Sequence, residues 1–267
     1  MTISQWIKDR ELIGYTTFSV DDVVSAFPLL DYGQIKNTLY RLTQSKDISG
    51  VYKGFYVVIP PHYKKKGVVH PSYYINQLMR HLQKPYYVGL LNAAEIFGAA
   101  HQRAQTYTIV TTRPMTNTSV SKNPILRWIY VSRIPNDLLI SKNSETSSVK
   151  YSNAELTALD LVQYASHIGG LSRSATVLAE LCENTDFTRL NDAFLYYVKI
   201  STFQRLGYIL DEILEQHEQA EEIHQFLSGR GKRLHYVKLS SKSTLPVREL
   251  SKKWKIEMNT QIEIDDL

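Results

Sequence analysis

Three residues near the C-terminal end have the spacing of a metal site. His217, Glu221 and His224 recur at i, i+4 and i+7, so on a helix they would share one face and could bind a divalent metal ion. However, six carboxylates lie between residues 211 and 222 without a single Lys or Arg. A solvated acidic face is the simpler interpretation. We therefore predict no metal site here.

Two glycine-containing stretches begin like catalytic or cofactor loops without completing them. Gly229-Arg-Gly-Lys-Arg-Leu234 lacks the third glycine of a dinucleotide loop and the Lys-Ser/Thr pair of a P-loop. Gly170-Leu-Ser-Arg-Ser174 lacks the second glycine of a nucleophile elbow. The single cysteine, Cys182, lies in an apolar helix, where a buried structural thiol is expected. These observations predict no catalytic residues, no cofactor and no enzyme activity.

A helix predicted at Tyr32–Ser45 carries the residues best suited to reading DNA. Ile35, Leu39 and Leu42 recur at i, i+4 and i+7 and define its buried side. Asn and Gln can bond adenine and Arg can bond guanine through paired hydrogen bonds, while Lys and Tyr can hold phosphates. Any amphipathic helix also has a polar outer face, so the elements beside this helix must show whether it binds DNA. With about 100° of rotation per residue, the opposite side presents Gly33, Asn37, Tyr40, Arg41 and Gln44, with Lys36 on the flank.

The neighbouring elements favour a DNA-binding module. Three short helices followed by a hairpin is the order of a winged helix-turn-helix, in which the hairpin is the wing. Lys53-Gly54 forms the predicted turn, and Tyr52 and Lys53 would contact DNA from the wing. The alternative is a small helical subdomain with a structural hairpin. The predicted flanking elements are helices at Ile3–Leu12 and Val20–Phe27 and strands at Ser49–Tyr52 and Phe55–Ile59.

A linker follows this module. Residues 60–71 combine prolines with three consecutive lysines, Lys64, Lys65 and Lys66, which would be costly to bury. We therefore predict two domains, 1–66 and 67–267. The second mixes strand-like segments with helices, one of them predicted at Val88–Phe97. The predicted fold class is α+β: an N-terminal winged helix-turn-helix domain followed by a larger mixed α/β, mainly helical C-terminal domain.

Composition excludes several classes of protein. The chain has 267 residues, of which 43% are hydrophobic and 21% are charged, and this composition predicts a folded protein. No apolar run approaches the ~20 residues that span a bilayer. The beginning of the sequence lacks a basic segment followed by an apolar stretch, so we predict no secretory signal and a cytoplasmic location. One cysteine excludes an intramolecular disulfide and a multi-cysteine zinc site.

Charge is unevenly distributed along the chain. The net charge is +5, yet residues 151–227 contain 4 basic and 12 acidic residues. A basic stretch follows them and could be a second nucleic-acid surface. Two alternatives are a partly disordered solvated tail and a surface paired with the acidic residues 211–222. The residues of this possible second basic surface are Arg230, Lys232, Arg233, Lys252, Lys253 and Lys255.

Several short sequence segments (phrases), spread over most of the chain, resemble those of a known family. Phe203-Gln-Arg-Leu-Gly-Tyr-Ile-Leu210 is the most specific of them. On these phrases the chain resembles the AbiEi-type antitoxins, the transcriptional-regulator half of type IV toxin–antitoxin and abortive-infection phage-defence modules. The other matching stretches are Val51-Tyr-Lys-Gly-Phe-Tyr56, Val88-Gly-Leu-Leu-Asn-Ala-Ala-Glu-Ile-Phe-Gly98, 152–161, Gly169-Gly170 and 177–181.

The resemblance implies a bacterial antitoxin with two activities. Its N-terminal winged helix would bind inverted repeats in the promoter of its own operon and repress transcription, which places it on the nucleoid when bound. Its C-terminal domain would neutralise a nucleotidyltransferase-like toxin without forming a stable complex. The partners implied are therefore double-stranded operator DNA and that toxin, with no membrane.

Two alternatives belong to other classes of function. The chain could be a stand-alone winged-helix transcription regulator whose C-terminal domain senses a small ligand. It could also be a nuclease-like or nucleotidyltransferase-like enzyme with a DNA-targeting domain. That enzyme needs clustered carboxylates for metal ions, and residues 67–150 offer only Glu95, Asp137 and Glu145.

Overall fold

A computed structural model describes residues 1–99, 104–113 and 125–264 of the chain. Its helices are α1 (Ile3–Leu12), α2 (Val20–Ala26), α3 (Tyr32–Gln44), α4 (Ile75–His81), α5 (Leu91–Ala94), α6 (Ala154–Gln163), α7 (Leu171–Leu181), α8 (Asp192–Tyr197), α9 (Ile200–Tyr208) and α10 (His217–Gly229). Its strands are β1 (Thr17–Ser19), β2 (Ile48–Tyr52), β3 (Phe55–Val58), β4 (Tyr86–Val88), β5 (Thr106–Thr112), β6 (Ile125–Val131), β7 (Leu139–Asn143), β8 (Ser148–Ser152), β9 (Val237–Lys238), β10 (Glu249–Ser251) and β11 (Ile256–Met258).

The strands form three sheets. The first has the order β1-β3-β2 and is antiparallel, and the second has the order β6-β5-β4-β8-β7, with β5 and β6 parallel. The third has the order β10-β11-β9, in which β11 pairs antiparallel with β10 and parallel with β9. Helices and sheets of both orientations make up the chain, so the predicted α+β class is confirmed.

By its internal packing the chain divides into two compact units. One consists of Met1–Tyr87, Gln105–Ile134 and Ser141–Lys150, and the other of Val88–Ala104, Pro135–Ile140 and Tyr151–Leu267. Residues 1–66 therefore lie inside a unit that continues past residue 66. The assignment of 1–66 and 67–267 as separate functional domains stays a prediction.

The first three helices and the first sheet share one hydrophobic core. Ile3 and Ile7 of α1, Val23 of α2 and Ile35 and Leu39 of α3 are all buried in it. Ser19 ends β1 and also caps α2: its hydroxyl accepts from the Asp22 N–H at 3.1 Å, while the Asp22 carboxylate accepts from the Ser19 N–H at 2.7 Å. This reciprocal capping fixes where α2 begins.

Later segments of the same unit pack against the β2–β3 hairpin and the residues after it. The ring of Phe55 lies 5.0 Å from that of His81, and the ring of Tyr52 lies 6.3 Å from that of Trp128. The Tyr63 hydroxyl donates to Glu145 Oε1 at 2.8 Å. The hairpin is thus part of a larger packed body.

The second unit is built on helix α6, which is buried from Ala154 to Val162. Asn153 caps it through a 2.9 Å hydrogen bond from the Leu156 N–H. Helix α7 is fastened to α6 where the Ser174 hydroxyl donates to the Leu161 carbonyl at 2.7 Å. A π-helical turn, Ile209–Ile213, follows α9 directly. Such turns are uncommon and often mark a functional or structural constraint.

One predicted helix and one alternative from the sequence analysis differ from the structure. Val88–Phe97 is not one helix: Val88 ends a strand, Leu90 has a φ of +57°, and α5 covers only Leu91–Ala94. The C-terminal basic stretch is not a disordered tail, because β9, β10 and β11 form a sheet there. Among the described residues, no helix is both long and apolar enough to cross a membrane.

Candidate nucleic-acid interface

Helix α3 is defined by its cap and by its apolar stripe. Asp31 accepts from the Gln34 N–H at 2.8 Å, and the Gln34 side chain accepts from the Asp31 N–H at 3.1 Å. Ile35 and Leu39 are fully buried, and Leu42 packs at the edge of the same core. The cap and the stripe together fix which side of α3 faces outward.

The outward side of α3 holds the polar set predicted from the sequence. Tyr40 is 65% exposed although it is aromatic. Lys36 lies over the ring of Tyr32, with 4.7 Å between Nζ and the ring centroid, and Arg41 Nη2 donates to Thr38 Oγ1 at 3.3 Å. Both cations therefore make only weak contacts, each with a side chain of the same helix. All six predicted residues are exposed: Gly33, Lys36, Asn37, Tyr40, Arg41 and Gln44.

Gly33 lies close to the capping side chain of Asp31. A Cβ at this position would meet Asp31 Oδ1 at 3.0 Å, closer than such contacts normally come. The position therefore leaves bare backbone at the exposed start of α3. Bare backbone is what allows close approach to a phosphate.

At the hairpin tip, the two residues predicted to contact DNA, Tyr52 and Lys53, differ in exposure. Tyr52 and Phe55 pair across a turn made by Lys53 and Gly54, and Gly54 has a φ of +72°, which glycine adopts without strain. Lys53 is exposed at this tip. Tyr52 is only 6% exposed and packs edge-to-face against Trp128. The sequence prediction that Tyr52 contacts DNA is therefore corrected: its ring is buried in the core.

One of the three linker lysines has a structural partner. Lys64 Nζ donates to Asp47 Oδ1 at 2.6 Å, and this hydrogen bond lowers the pKa of the Asp47 carboxyl below its ordinary value. Lys65 and Lys66 are exposed. Lys64 thus ties the segment after β3 to the turn between α3 and β2.

The predicted second basic surface is partly neutralised by acidic residues of the same unit. Arg230 pairs with Asp192 and lies over the ring of Phe226 at 4.2 Å. Lys253 Nζ is 2.9 Å from Asp211 Oδ2 and 3.4 Å from Glu221 Oε2. Lys255 lies 5.1 Å over the ring of Tyr236. The remaining members, Lys232, Arg233 and Lys252, are exposed.

The C-terminal sheet is held by residues that the sequence analysis did not single out for a role. Trp254 is fully buried, and its six-membered ring packs directly against Gly207 in α9. The buried Gln204 side chain donates from Nε2 to the carbonyls of His235 and Trp254, both at 2.8 Å. Both anchoring residues, Gln204 and Gly207, belong to the phrase 203–210 that carries the family resemblance.

Asp211 binds three donors beside Trp254. We call the contacts of Gln204, Gly207 and Asp211 with Trp254 and its neighbours the anchor. Trp254 Nε1 donates to Oδ2 at 2.9 Å, Lys253 binds the same oxygen, and His217 Nδ1 lies 2.8 Å from Oδ1. Burial alone would raise the pKa of Asp211, but the hydrogen bonds from Lys253, His217 and Trp254 outweigh it and lower this pKa to about 2. The π-helical turn places Asp211 where all three donors reach it.

We expect the anchor to weaken in acid. The folded-state pKa of Asp211 lies below the ordinary 3.8. The contribution of its charge to the free energy of unfolding is therefore complete above about pH 4 and is lost as the pH falls through about 2. Asp211→Asn should therefore lower the free energy of unfolding by about 2 kcal/mol at pH 7 and by about half as much at pH 3. Urea unfolding at both pH values measures this. Glu212→Gln, at the exposed neighbouring position, is the control; equal losses for both variants would contradict the account.

The residues considered as metal ligands contact other side chains of the same unit. Glu221 pairs with Lys253, and the ring of His224 packs edge-on against Trp254 at 5.7 Å. In the part of the chain that the structure describes, no cluster of three His, Cys, Asp or Glu residues could hold a metal ion. Burial raises the pKa of Cys182 to about 12, so its thiol stays protonated at neutral pH.

Comparison with known proteins identifies the central part of the chain. Residues 87–212 match the family model described as the AbiEi antitoxin C-terminal domain. The resemblance to the AbiEi-type antitoxins is thus confirmed. The AbiEi match includes α9 and Asp211, and it supports an antitoxin role in a toxin–antitoxin system. This domain family is not a known enzyme family.

A solved structure shares the fold over almost the whole chain. The crystal structure of the RV2827C protein from Mycobacterium tuberculosis aligns with a TM-score of 0.68 at 12% sequence identity. The alignment covers 95% of this chain and 89% of that one. At this identity the likeness shows the fold alone. No curated protein matches the sequence.

Proposed function

We propose that this chain is the antitoxin of a type IV toxin–antitoxin system and represses its own operon by binding DNA. The observation that carries the proposal is the presence, in one chain, of a match to the AbiEi antitoxin domain and a helix, α3, whose exposed face holds amide, cationic and aromatic side chains and no acidic one. The first supports the antidote activity and the second supports repression.

The N-terminal elements support a winged helix-turn-helix. Helices α1, α2 and α3 pack with an antiparallel sheet of order β1-β3-β2, and β2 and β3 form a hairpin beside them. In this interpretation α3 enters the major groove and the Lys53 tip is the wing that contacts backbone. Inverted repeats would bring two copies to one operator, since each half-site takes one recognition helix.

Each exposed residue of α3 has a distinct proposed role. Asn37 and Arg41 would read base edges, because an amide pairs with adenine and a guanidinium with guanine through two hydrogen bonds. Gln44 extends this base-reading set, and Tyr40 and Lys36 would hold phosphates. Gly33 would let the backbone approach the duplex. Tyr52 is excluded because it is buried.

The toxin partner follows from the AbiEi domain. We propose that it is a nucleotidyltransferase-like protein and that neutralisation requires no stable complex with it. The exposed cations Lys232, Arg233 and Lys252 would supply a second nucleic-acid surface. The other three predicted residues are left out because Arg230 and Lys253 are engaged with carboxylates and Lys255 lies over the ring of Tyr236. Such a protein would work in the bacterial cytoplasm, on the nucleoid when bound.

The salt dependence of DNA binding tests the proposed phosphate contacts. Removing one phosphate contact should flatten the slope of log K against log salt by about 0.9, because one fewer counterion is released. We expect this for Lys36→Ala and for Lys53→Ala, measured by fluorescence anisotropy on the promoter fragment between 50 and 200 mM salt. Lys65→Ala, at an exposed linker lysine, is the control. An unchanged slope for both Lys36→Ala and Lys53→Ala would remove these residues from the interface.

A further inference from the structure

A small pocket lies at the C-terminal end of α4, in the unit that also contains β5 and β6. Its volume is about 350 Å³, within the size range of small-molecule sites. Arg80, Lys84 and Lys150 line it together with the amides Asn76 and Gln83. We call it the basic pocket. It lies outside α3 and outside the β2–β3 turn.

No carboxylate of the described residues compensates the charge of the basic pocket. Three of its lining residues are cations and none is acidic. Among the described residues, no ion pair joins Arg80, Lys84 or Lys150 to a carboxylate. Other lysines of the chain do have carboxylate partners, as Lys64 has Asp47 and Lys253 has Asp211. Three like charges around one pocket repel one another until an anion enters it.

The backbone at the end of α4 is bent in a way that gathers these cations. Gln83 has a φ of +52°, a left-handed conformation that costs a non-glycine residue free energy. The turn is closed by hydrogen bonds from the Gln83 N–H to the Arg80 carbonyl and from the Lys84 N–H to the Met79 carbonyl, both at 3.0 Å. This turn places Arg80 and Lys84 on the same pocket.

A neutral donor completes the lining. The Tyr86 hydroxyl donates to Asn76 Oδ1 at 3.4 Å, which leaves the Asn76 amide nitrogen as a donor beside the cations. Cationic and amide N–H groups around a concave pocket are the donor set that phosphate oxygens require. A single carboxylate carries one negative charge, whereas two phosphate groups together match three cations.

We propose that the basic pocket binds a small molecule carrying two or more phosphate groups. Arg80, Lys84 and Lys150 bind the phosphate oxygens, and Asn76 supplies a neutral hydrogen bond. The pocket is concave and of small-ligand size, which favours a free phosphorylated molecule over the backbone of a duplex. The site is independent of the proposed operator contacts, because none of its residues belongs to α3 or the hairpin.

Calorimetric titration of the full chain with inorganic pyrophosphate and with ATP tests this proposal. We expect saturable binding of at least one of the two probes at low salt. Lys150→Gln and Arg80→Gln should each weaken that binding about tenfold or more, as loss of a charged hydrogen bond does. Lys142→Gln is the matched control, because Lys142 is an exposed lysine of β7 that does not line the pocket. It should leave affinity within about twofold.

Three outcomes would overturn the proposal. The first is that the wild-type chain binds neither probe. The second is that Lys142→Gln weakens binding as much as Lys150→Gln, since the effect would then be one of net charge. The third is that Lys150→Gln changes only the affinity for an unrelated DNA duplex. The Asn37→Ala, Arg41→Ala variant should bind the probes normally, which separates this site from the operator contacts.

Discussion

Gly207→Ala should destabilise the second unit by about 3 kcal/mol or more. A Cβ at this position would overlap the six-membered ring of Trp254, closer than two carbon atoms can approach. The ring cannot move aside, because Trp254 is fully buried and its indole N–H and carbonyl are both engaged, by Asp211 and Gln204. Calorimetry should show the melting temperature lowered by roughly 6–12 °C.

Gly229→Ala is the matched control for this effect. Gly229 ends helix α10, has no unusual backbone angle, and a Cβ there meets nothing within 4 Å. Alanine should be neutral or slightly stabilising at that position because it favours the helix. A Gly207→Ala variant as stable as Gly229→Ala would contradict the close packing of Trp254 against Gly207 of α9.

The Asn37→Ala, Arg41→Ala double variant should lose sequence-specific operator binding. Each base contact of this kind contributes about 1–3 kcal/mol, so losing both should weaken operator affinity at least about thirtyfold. Both side chains are exposed, so the melting temperature should not change. Anisotropy with the promoter fragment and with an unrelated duplex separates specific from non-specific binding.

A variant with the same chemical change on another helix controls for charge. Gln5→Ala, Lys8→Ala also removes one amide and one cation, both exposed, from α1. It should bind the operator as the wild type does. Operator binding by Asn37→Ala, Arg41→Ala at wild-type affinity would contradict the assignment of α3 as the DNA-reading helix.

The elements that local sequence determines were predictable. Asp31 and the spacing of Ile35 and Leu39 predict α3, which begins at Tyr32 as expected and ends one residue before the predicted Ser45. Lys53-Gly54 predicts the hairpin turn, because glycine tolerates the required backbone angle. The outward face of α3 then follows from helical geometry alone. These features need no information from distant residues.

Features that depend on distant partners were missed. Strand β1 has three residues and exists because Thr17–Ser19 pairs with β3. Tyr52 is buried by Trp128, a neighbour in space that lies far away in the sequence. The attachment of the sheet of β9, β10 and β11 to α9 depends on Gln204, whose side chain binds the carbonyls of His235 and Trp254. The phrase 203–210 was recognisable, but its anchoring role required the packed structure.

Growth rescue tests the central claim, that this chain is an antitoxin, most directly. The neighbouring gene is expressed from an inducible promoter, and the full-length chain or its Asn37→Ala, Arg41→Ala variant is expressed from an independent one. We predict that the neighbouring gene alone arrests growth and that both forms of the chain restore it, since repression plays no part in this arrangement. Arrested growth that neither form relieves, or a neighbouring gene without toxicity, would contradict the account.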